Sequence, residues 1–505
     1  MKILMLYPKF PDTFWSFKHA INFVNKKASN PPLGLVTISS MLPASWQKKL
    51  VDLNIQPLRR SEIEWADMVF ISAMNVQRAS VNEVIHQCKK HGKPIVAGGP
   101  LFTGEYDQFP LIDHFVLNEA EITLPQFLED LANNQLKRVY KTDEYADIQT
   151  TPLPDWSLLN FSAYESMNVQ FSRGCPYDCE FCNVTALLGH RPRTKSASQL
   201  IAEFDRLYQL GWRRNIFLVD DNFIGNKKVL KQEVLPAIIE WRKGKTGFKF
   251  VTEASINLSD DPELMDLLVQ AGFISVFVGI ETPEESSLTE CNKKQNLNRS
   301  LLESVRRMQN AGLQVMGGFI VGFDSDTHNI FQRQIDFIQQ SGIVTAMVGL
   351  LQAPFGTRLH QRMDREGRLI REMSGDNADG SSNIVPLIDP TLLQNGYRHI
   401  IQSIYSPKLF YARIKTFISN YHPPKSSVKL SKNEIQAFFR SIFRIGLISS
   451  NRRQYWDLFF WTLFNHPRQF ATAITLTIYG YHFQKISAQT LKRPLSLPQA
   501  EMAGD

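Results

Sequence analysis

Short apolar runs alternate with helix-patterned stretches through most of the chain, and the alternation changes character twice. Over residues 1–135, β-type runs at 3–7, 68–72, 95–99 and 114–117 are separated by helical patterns at 33–42, 81–90 and 122–131. Strands divided by helix-length segments predict βαβ units and a parallel sheet, in which ligands sit at the carboxyl ends of the strands. Ser72, leading Ala73-Met74-Asn75, falls at such an end, and so does Gly98-Gly99-Pro100, leading to Thr103. Residues 136–165 mix charge with Pro152 and Pro154 and hold no sustained period, which predicts a linker packed by Trp156 and Leu158. Six further β-type runs follow at 167–171, 215–219, 248–252, 275–280, 315–321 and 344–350, each trailed by an amphipathic segment. In the first such segment Leu200, Ile201, Phe204, Leu207 and Tyr208 share one helix face. Six βα units predict a partial (β/α)6 barrel over 166–375, with its reactive mouth at the strand C-termini. After a polar loop at 376–382 the pattern turns helical and aromatic, at 397–405, 409–421, 434–448, 454–464 and 467–483, predicting a helical C-terminal domain over 376–505.

A chain of 505 residues exceeds one ordinary core, and 43% hydrophobic with 21% charged residues is a globular composition. The net charge of +7 sits in the tail: from residue 401 onward there are fourteen Lys/Arg against four Asp/Glu. Such a tail meets nucleic acid, anionic lipid or an acidic partner, or is a solvated face. The aromatic stretch 456–464, flanked by Arg452, Arg453 and Arg468, reads first as core packing and second as an interfacial patch. No apolar window is long enough to span a bilayer, and the apolar start is too short for a secretory signal. Five cysteines without a pairing pattern predict a reducing, cytoplasmic setting, with Cys88 and Cys291 as buried thiols.

The strongest chemistry lies in Phe171-Ser-Arg-Gly-Cys-Pro-Tyr-Asp-Cys-Glu-Phe-Cys182, where Cys175, Cys179 and Cys182 are spaced C-x3-C-x2-C. Three thiolates at that spacing can hold three corners of a [4Fe–4S] cube and leave one iron open to a substrate. A zinc knuckle would need a fourth ligand nearby, for which His190 is the candidate. The loop follows the first barrel run, and polar or glycine residues gather at the other run ends: Asp220-Asp221-Asn222, Glu253 with Ser255, Gly279-Ile-Glu281, Gly317-Gly318, and Gly322-Phe-Asp324. Arg173 and Arg193 stand near the loop, facing either negative charge or, as is more common for arginine, solvent.

With Phe181 just before the last cysteine, the motif resembles the radical S-adenosylmethionine (SAM) superfamily. That resemblance implies that the open iron chelates the methionine part of SAM, that Phe181 adjoins it, and that Glu281 meets the ribose. It also implies that Gly318 and Gly322 lie along the adenine and that Asp221 faces the methionine end, with Ser255 and Asn257 as further candidates. Residues 1–135 resemble the cobalamin-binding, Rossmann-like domain of B12-dependent radical SAM enzymes through Pro31-Pro-Leu-Gly-Leu35, Val51-Asp-Leu-Asn54, Ser72, Gly98-Gly99-Pro100, Thr103 and Asn118-Glu-Ala-Glu121. The likeness implies Ser72, Gly98, Gly99 and Thr103 as cobalamin contacts. Two departures stand out. Where some cobalamin proteins read Asp-x-His-x-x-Gly, this chain has Asp52-Leu-Asn54-Ile-Gln-Pro57, and an amide is a feeble cobalt ligand. Where relatives often read Gly-Glu-Gly-Glu, this chain has Asn118-Glu119-Ala120-Glu121.

The tail, with Asp155-Trp156, Asp220-Asp-Asn-Phe223 and Pro11-Asp-Thr-Phe-Trp-Ser-Phe17, resembles a subfamily near the hopanoid methylases whose C-terminal domain is uncharacterised. The expected activity is reductive cleavage of SAM to a 5′-deoxyadenosyl radical, hydrogen abstraction from an unactivated carbon, and methyl transfer from cobalamin to a small, lipid-like substrate. The expected partners are that small molecule, an electron donor such as flavodoxin or ferredoxin, and a membrane surface met by the basic tail, with no nucleic acid. Alternatives are a B12-dependent radical cyclase or rearrangement enzyme, SAM chemistry without cobalamin, and a non-catalytic cobalamin-binding protein.

Overall fold

The computed structural model describes residues 1–370, 373–423 and 432–493; the stretch 494–505 of the expected C-terminal domain lies outside them. A first parallel sheet is built from β1 (Lys2–Tyr7), β2 (Gln47–Asp52), β3 (Met68–Ser72), β4 (Ile95–Gly98), β5 (His114–Val116) and β6 (Val139–Tyr140), in the order β2-β1-β3-β4-β5-β6. Central β1 is buried on both faces, as strands covered by helices on each side must be. Its residues alternate between the two layers: Leu4 and Leu6 join Val69, Ile71 and Phe102 in one core, while Ile3 and Met5 join Leu35, Phe70 and Phe127 in the other. The strand order reverses between β1 and β3, which opens a crevice at their carboxyl ends.

Two strands of this sheet fall outside the expected runs. In β2 the first four residues, Gln-Lys-Lys-Leu, are exposed or half-buried on the sheet edge, so no apolar run marks it. β6 lies within the expected linker and pairs with β5, Tyr140 donating its hydroxyl to Asp130 at 3.0 Å. The remainder of that segment winds through short 3-10 turns. Trp156 is buried in the barrel core and Leu158 packs on the first sheet.

The second sheet contains β7 (Ser166–Val169), β10 (Asn215–Leu218), β11 (Lys249–Glu253), β12 (Phe273–Glu281), β13 (Gln314–Val321) and β14 (Ala346–Leu350), all parallel and hydrogen-bonded in that order. β7 and β14 are its two edges, so the barrel is partial. Between β7 and β10 the chain makes a two-stranded ribbon, β8 (Ser172–Arg173) with β9 (Arg193–Thr194), which brackets the cysteine loop.

The tail helices Pro390–Ile404 and Pro407–Asn420 each begin with proline in the first turn and a capping side chain, Asp389 and Ser406 respectively. Tyr397 and Tyr405 donate to the carbonyls of Val348 and Ala346, covering the β14 edge. The last helix, Phe470–Lys492, meets the N-terminal segment: Phe483 stacks on Phe14 at 4.3 Å, and a His482 ring nitrogen lies 2.9 Å from the Phe14 carbonyl. Tail and barrel thus share one continuous core. Among the described residues no helix is long and apolar enough to cross a membrane.

Candidate active site

The cysteine loop is anchored at its start by a buried carboxylate. Asp220, just beyond β10, accepts from the backbone of Phe171 at 3.2 Å, from that of Ser172, and from the Ser172 hydroxyl at 2.5 Å; burial pushes its carboxyl up to about 7. Gly174 turns the chain with φ 90°, where a Cβ would stand 2.8 Å from the Arg191 carbonyl oxygen. Farther along, Glu180 pairs with Arg362 at 2.8 Å, and its backbone bonds Cys291 and Leu359. The loop is thereby tied to three separate parts of the barrel.

Amides address the sulfurs. Asn222 Nδ2 donates to Cys175 Sγ at 3.8 Å, and Gln295 Nε2 donates to Cys179 Sγ at 3.7 Å. A polar chain runs on from Asn222 to Ser255 Oγ at 3.2 Å, from Ser255 to Asn257 at 2.7 Å, and from Asn257 to the Tyr177 hydroxyl at 2.8 Å. Burial pushes the Cys182 thiol up to about 12 and raises that of Cys175, which disfavours the thiolate unless a cation meets the sulfur. The irons of a cluster are such cations. No group of three or more His, Cys, Asp or Glu among the described residues converges on a single metal ion. In a cubane each thiolate takes a different iron, whereas a zinc knuckle needs its ligands on one ion, and among the described residues none is assembled with His190.

Beside the triad, Glu281 ends β12 in the left-handed region (φ 64°), an uncommon strain for a side chain of its size. Its carboxylate meets Lys293 Nζ at 2.6 Å. Burial would lower the Lys293 pKa, but the Glu281 carboxylate overrides it and raises it, and the ammonium lies 5.8 Å over the Phe181 ring, which itself packs toward Phe323. A Cβ on Gly279 would displace the Glu281 carboxylate and the Lys293 ammonium, which lie 2.2 and 2.7 Å from where it would stand, so the glycine leaves that ion pair its place. At Gly318 a Cβ would stand 2.8 Å from the Phe277 ring, and Gly322 (φ 102°) faces Leu393.

A cavity of about 900 Å³ lies between the carboxyl ends of the two sheets. Ser72, Gly98, Gly99, Thr103, Asn118 and Asn54 line it from one side; Arg173, Leu187 and Asp221 line it from the other. Of the expected site residues it therefore joins the four cobalamin candidates with Asp221, while Cys175, Cys179, Phe181, Cys182, Glu281, Gly318 and Gly322 are not part of its lining. Gly99 adopts φ 97°, and a Cβ there would stand 2.7 Å from Ser72 Oγ, so the turn keeps backbone bare toward the cavity. Thr103 Oγ1 accepts from the Asn118 backbone at 3.1 Å and ties two strand-end loops together. This concave, glycine-floored crevice suits a large planar ligand such as cobalamin. Asn54 is engaged within its own neighbourhood: Oδ1 accepts from Phe10 at 2.8 Å, and Nδ2 donates to Asp52 at 2.7 Å and to the Pro8 carbonyl at 3.3 Å.

Asp221 projects into the cavity with accessible surface yet is flanked by protein, and this desolvation pushes its carboxyl up to about 6. Glu253, at the end of β11, is pushed up to about 8 by burial and by the charges of Asp221 and Asp220. Across the junction, Arg173 reaches Glu121 at 2.8 Å and Glu119 at 2.9 Å, and Arg193 reaches Glu119 at 2.5 Å. Burial would raise the Glu121 carboxyl, but Arg173 overrides it and holds it at about 2. These arginines face carboxylates rather than solvent. The signal for that pairing was the Glu-Ala-Glu of 119–121; Lys293 and Gln295, which carry no recognisable motif, had none.

Residues 21–128 match the family described as the B12 binding domain, 169–338 the radical SAM superfamily, and 357–494 a domain of unknown function, DUF4070. The chain is 40% identical over 489 residues to an uncharacterized methyltransferase of Synechocystis sp., covering 96% of this chain and 91% of the relative. It is 32% identical over 470 residues to the hopanoid C-2 methylase of Rhodopseudomonas palustris, covering 90% and 88%. In fold it is similar to the cobalamin-dependent radical SAM enzyme OxsB, solved with aqua-cobalamin and SAM (TM-score 0.62, 15% identity, 97% and 80% covered). It is also similar to the methyltransferase TsrM of Kitasatospora setae, solved with cobalamin and a [4Fe–4S] cluster (TM-score 0.58, 14% identity, 90% and 98% covered). The chain belongs to the B12-binding radical SAM methyltransferases, enzymes of a [4Fe–4S] cluster, SAM and cobalamin, near the hopanoid methylases and carrying an added C-terminal domain of unknown function.

Proposed function

We propose that this enzyme C-methylates an unactivated carbon of a lipid-like, polycyclic substrate held in the cavity between its two sheets. One observation carries the reading: a single chamber of about 900 Å³ reaches from Ser72, Gly98, Gly99 and Thr103 to Asp221 and Arg173 beside the cysteine loop. A substrate there would lie between both cofactors. The likeness to a hopanoid C-2 methylase supports a lipid-like substrate, as do the apolar wall residues Trp15, Leu187 and Leu188. Residues 1–135 would hold cobalamin, 136–165 join it to a catalytic barrel at 166–375, and 376–505 form the helical domain behind it.

In this reading Cys175, Cys179 and Cys182 bind the cluster, and Asn222 and Gln295 stabilise negative charge on two of the sulfurs by donating to them. Asp220 fixes where the loop leaves β7. Asp221 receives the ammonium of SAM's methionine part, Glu281 and Lys293 order the ribose side next to Phe181, and the backbone of Gly318 and Gly322 lies along the adenine. When bound, these cofactors supply a hydrogen-abstracting radical and a transferable methyl group. The apolar walls keep water from that radical. A carrier such as flavodoxin or ferredoxin would supply the electron at the cysteine loop, and the basic tail would meet a membrane surface.

Anaerobic reconstitution with iron, sulfide and cobalamin, followed by turnover with SAM and a lipid extract, tests the reading. 5′-Deoxyadenosine, S-adenosylhomocysteine and a product heavier by one methylene are expected together. Deoxyadenosine without a methylated lipid would overturn the substrate class, and an absence of deoxyadenosine would overturn the radical role of the triad.

A further inference from the structure

The helix Lys432–Ser441 continues through a π-wound turn, Ile442–Ile448, and doubles back as the helix Arg452–Asn465. Its inward side is accounted for: Ala437, Ser441 and Ile445 at four-residue steps, and Tyr455, Leu458 and Thr462 opposite, are buried. The outward side should then be polar. Instead Phe439, Phe443, Ile448 and Phe464 are 63, 59, 66 and 77% exposed, with Leu447 and Phe460 also exposed among them. The two arms run antiparallel. Gly446 packs on Tyr455 and Trp456, Ser441 Oγ meets the Tyr455 hydroxyl at 2.9 Å, and Phe438 stacks with Phe459 at 6.2 Å. In an antiparallel pair the next residue round each helix turns to the same side, so Phe439 and Phe460 emerge together, and the four-residue steps to Phe443, Leu447 and Phe464 extend one apolar face.

We propose that this face docks on an anionic lipid bilayer. Charge selects that occupant. From 432 to 493 there are nine Lys/Arg and two Asp/Glu. Both acids are already paired, Glu434 with Lys249 at 3.7 Å and Asp457 with Lys415 at 2.8 Å. Arg444, Arg452, Arg453 and Arg468 are exposed in the same two arms and the turn that follows. A second copy would bring the same positive charge against it, whereas anionic headgroups neutralise it. The helix of 14 residues is about 21 Å long, too short to span and suited to lying in the interface with its phenylalanines in the acyl boundary. The inference deepens the membrane contact proposed above and rests on it only for the tail meeting a bilayer.

Vesicle cosedimentation of the reconstituted full chain, read without turnover, tests it separately from methylation. Binding to vesicles of equal phosphatidylglycerol and phosphatidylcholine, released by high salt, is expected. Phe443→Ser with Phe464→Ser should cut the bound fraction about tenfold, and Arg452→Glu with Arg453→Glu should abolish the preference for phosphatidylglycerol. Leu447→Gln with Ile448→Gln repeats the apolar arm should the first pair melt early. Failure of the wild type to sediment, or unchanged binding by a folded apolar variant, overturns the proposal. So does a dimer in analytical ultracentrifugation that Phe443→Ser with Phe464→Ser dissociates, since the face would then belong to a second copy.

Discussion

Each cysteine sulfur stands in a defined environment, so single substitutions should separate the roles around the loop. Cys179→Ala is expected to lose the cluster absorption band and turnover together, and a retained chromophore would refute the ligand assignment. The buried acids make a different prediction. An acid with a raised folded-state pKa keeps its proton on folding where the unfolded chain has released it, so stability falls as pH rises between the two values. For Glu253 that window runs from 4.5 to about 8. Glu253→Gln should therefore leave the melting temperature nearly unchanged at pH 4 and raise stability by on the order of 2 kcal/mol at pH 9, seen as an upward shift in calorimetry. The three cysteines were plain in the sequence because their spacing is itself the chemistry. Lys293 and Gln295 were not, because β12 and its return loop must fold before they come near the sulfurs.

Among the elements, β1, β3 and β4 are buried almost throughout and read as apolar runs. The barrel strands, which largely alternate buried with half-buried residues, still read as β-type runs because each is trailed by an amphipathic segment. β2 begins as a lysine-bearing edge, and β6 is a two-residue extension; a period of two cannot be read from so few turns of the pleat. In the aromatic stretch 456–464, Leu458 and Thr462 are core, while Phe460 and Phe464 are exposed. The β4 turn is open to test. Gly99→Ala forces a side chain into φ 97° and against Ser72 Oγ, at a cost of about 1–3 kcal/mol of local strain. Equilibrium dialysis should show cobalamin bound at least about tenfold more weakly, while cluster assembly on the distant cysteine loop stays intact.

Across the whole molecule, the junction between the sheets is held by Arg173 and Arg193 against Glu119 and Glu121. Arg173→Ala strips Glu121 of its guanidinium and should cost about 3 kcal/mol in urea unfolding, the usual penalty for an abandoned partner in a buried pair. Glu121→Gln in the same background should recover part of it. The chamber that this junction frames was only half legible, since its two walls lie far apart in the chain and periodicity says nothing of how sheets face each other. The stack of Phe14 on Phe483 has a bearing on how the protein is made. Thr13, Trp15 and Ser16 form part of the chamber wall, and Phe14 among them is seated on a helix from far along the chain. Domains fold as they emerge, N-terminal first. Until the helix Phe470–Lys492 has emerged, this wall therefore lacks that stack, and the chamber is completed only when early and late parts of the chain have met.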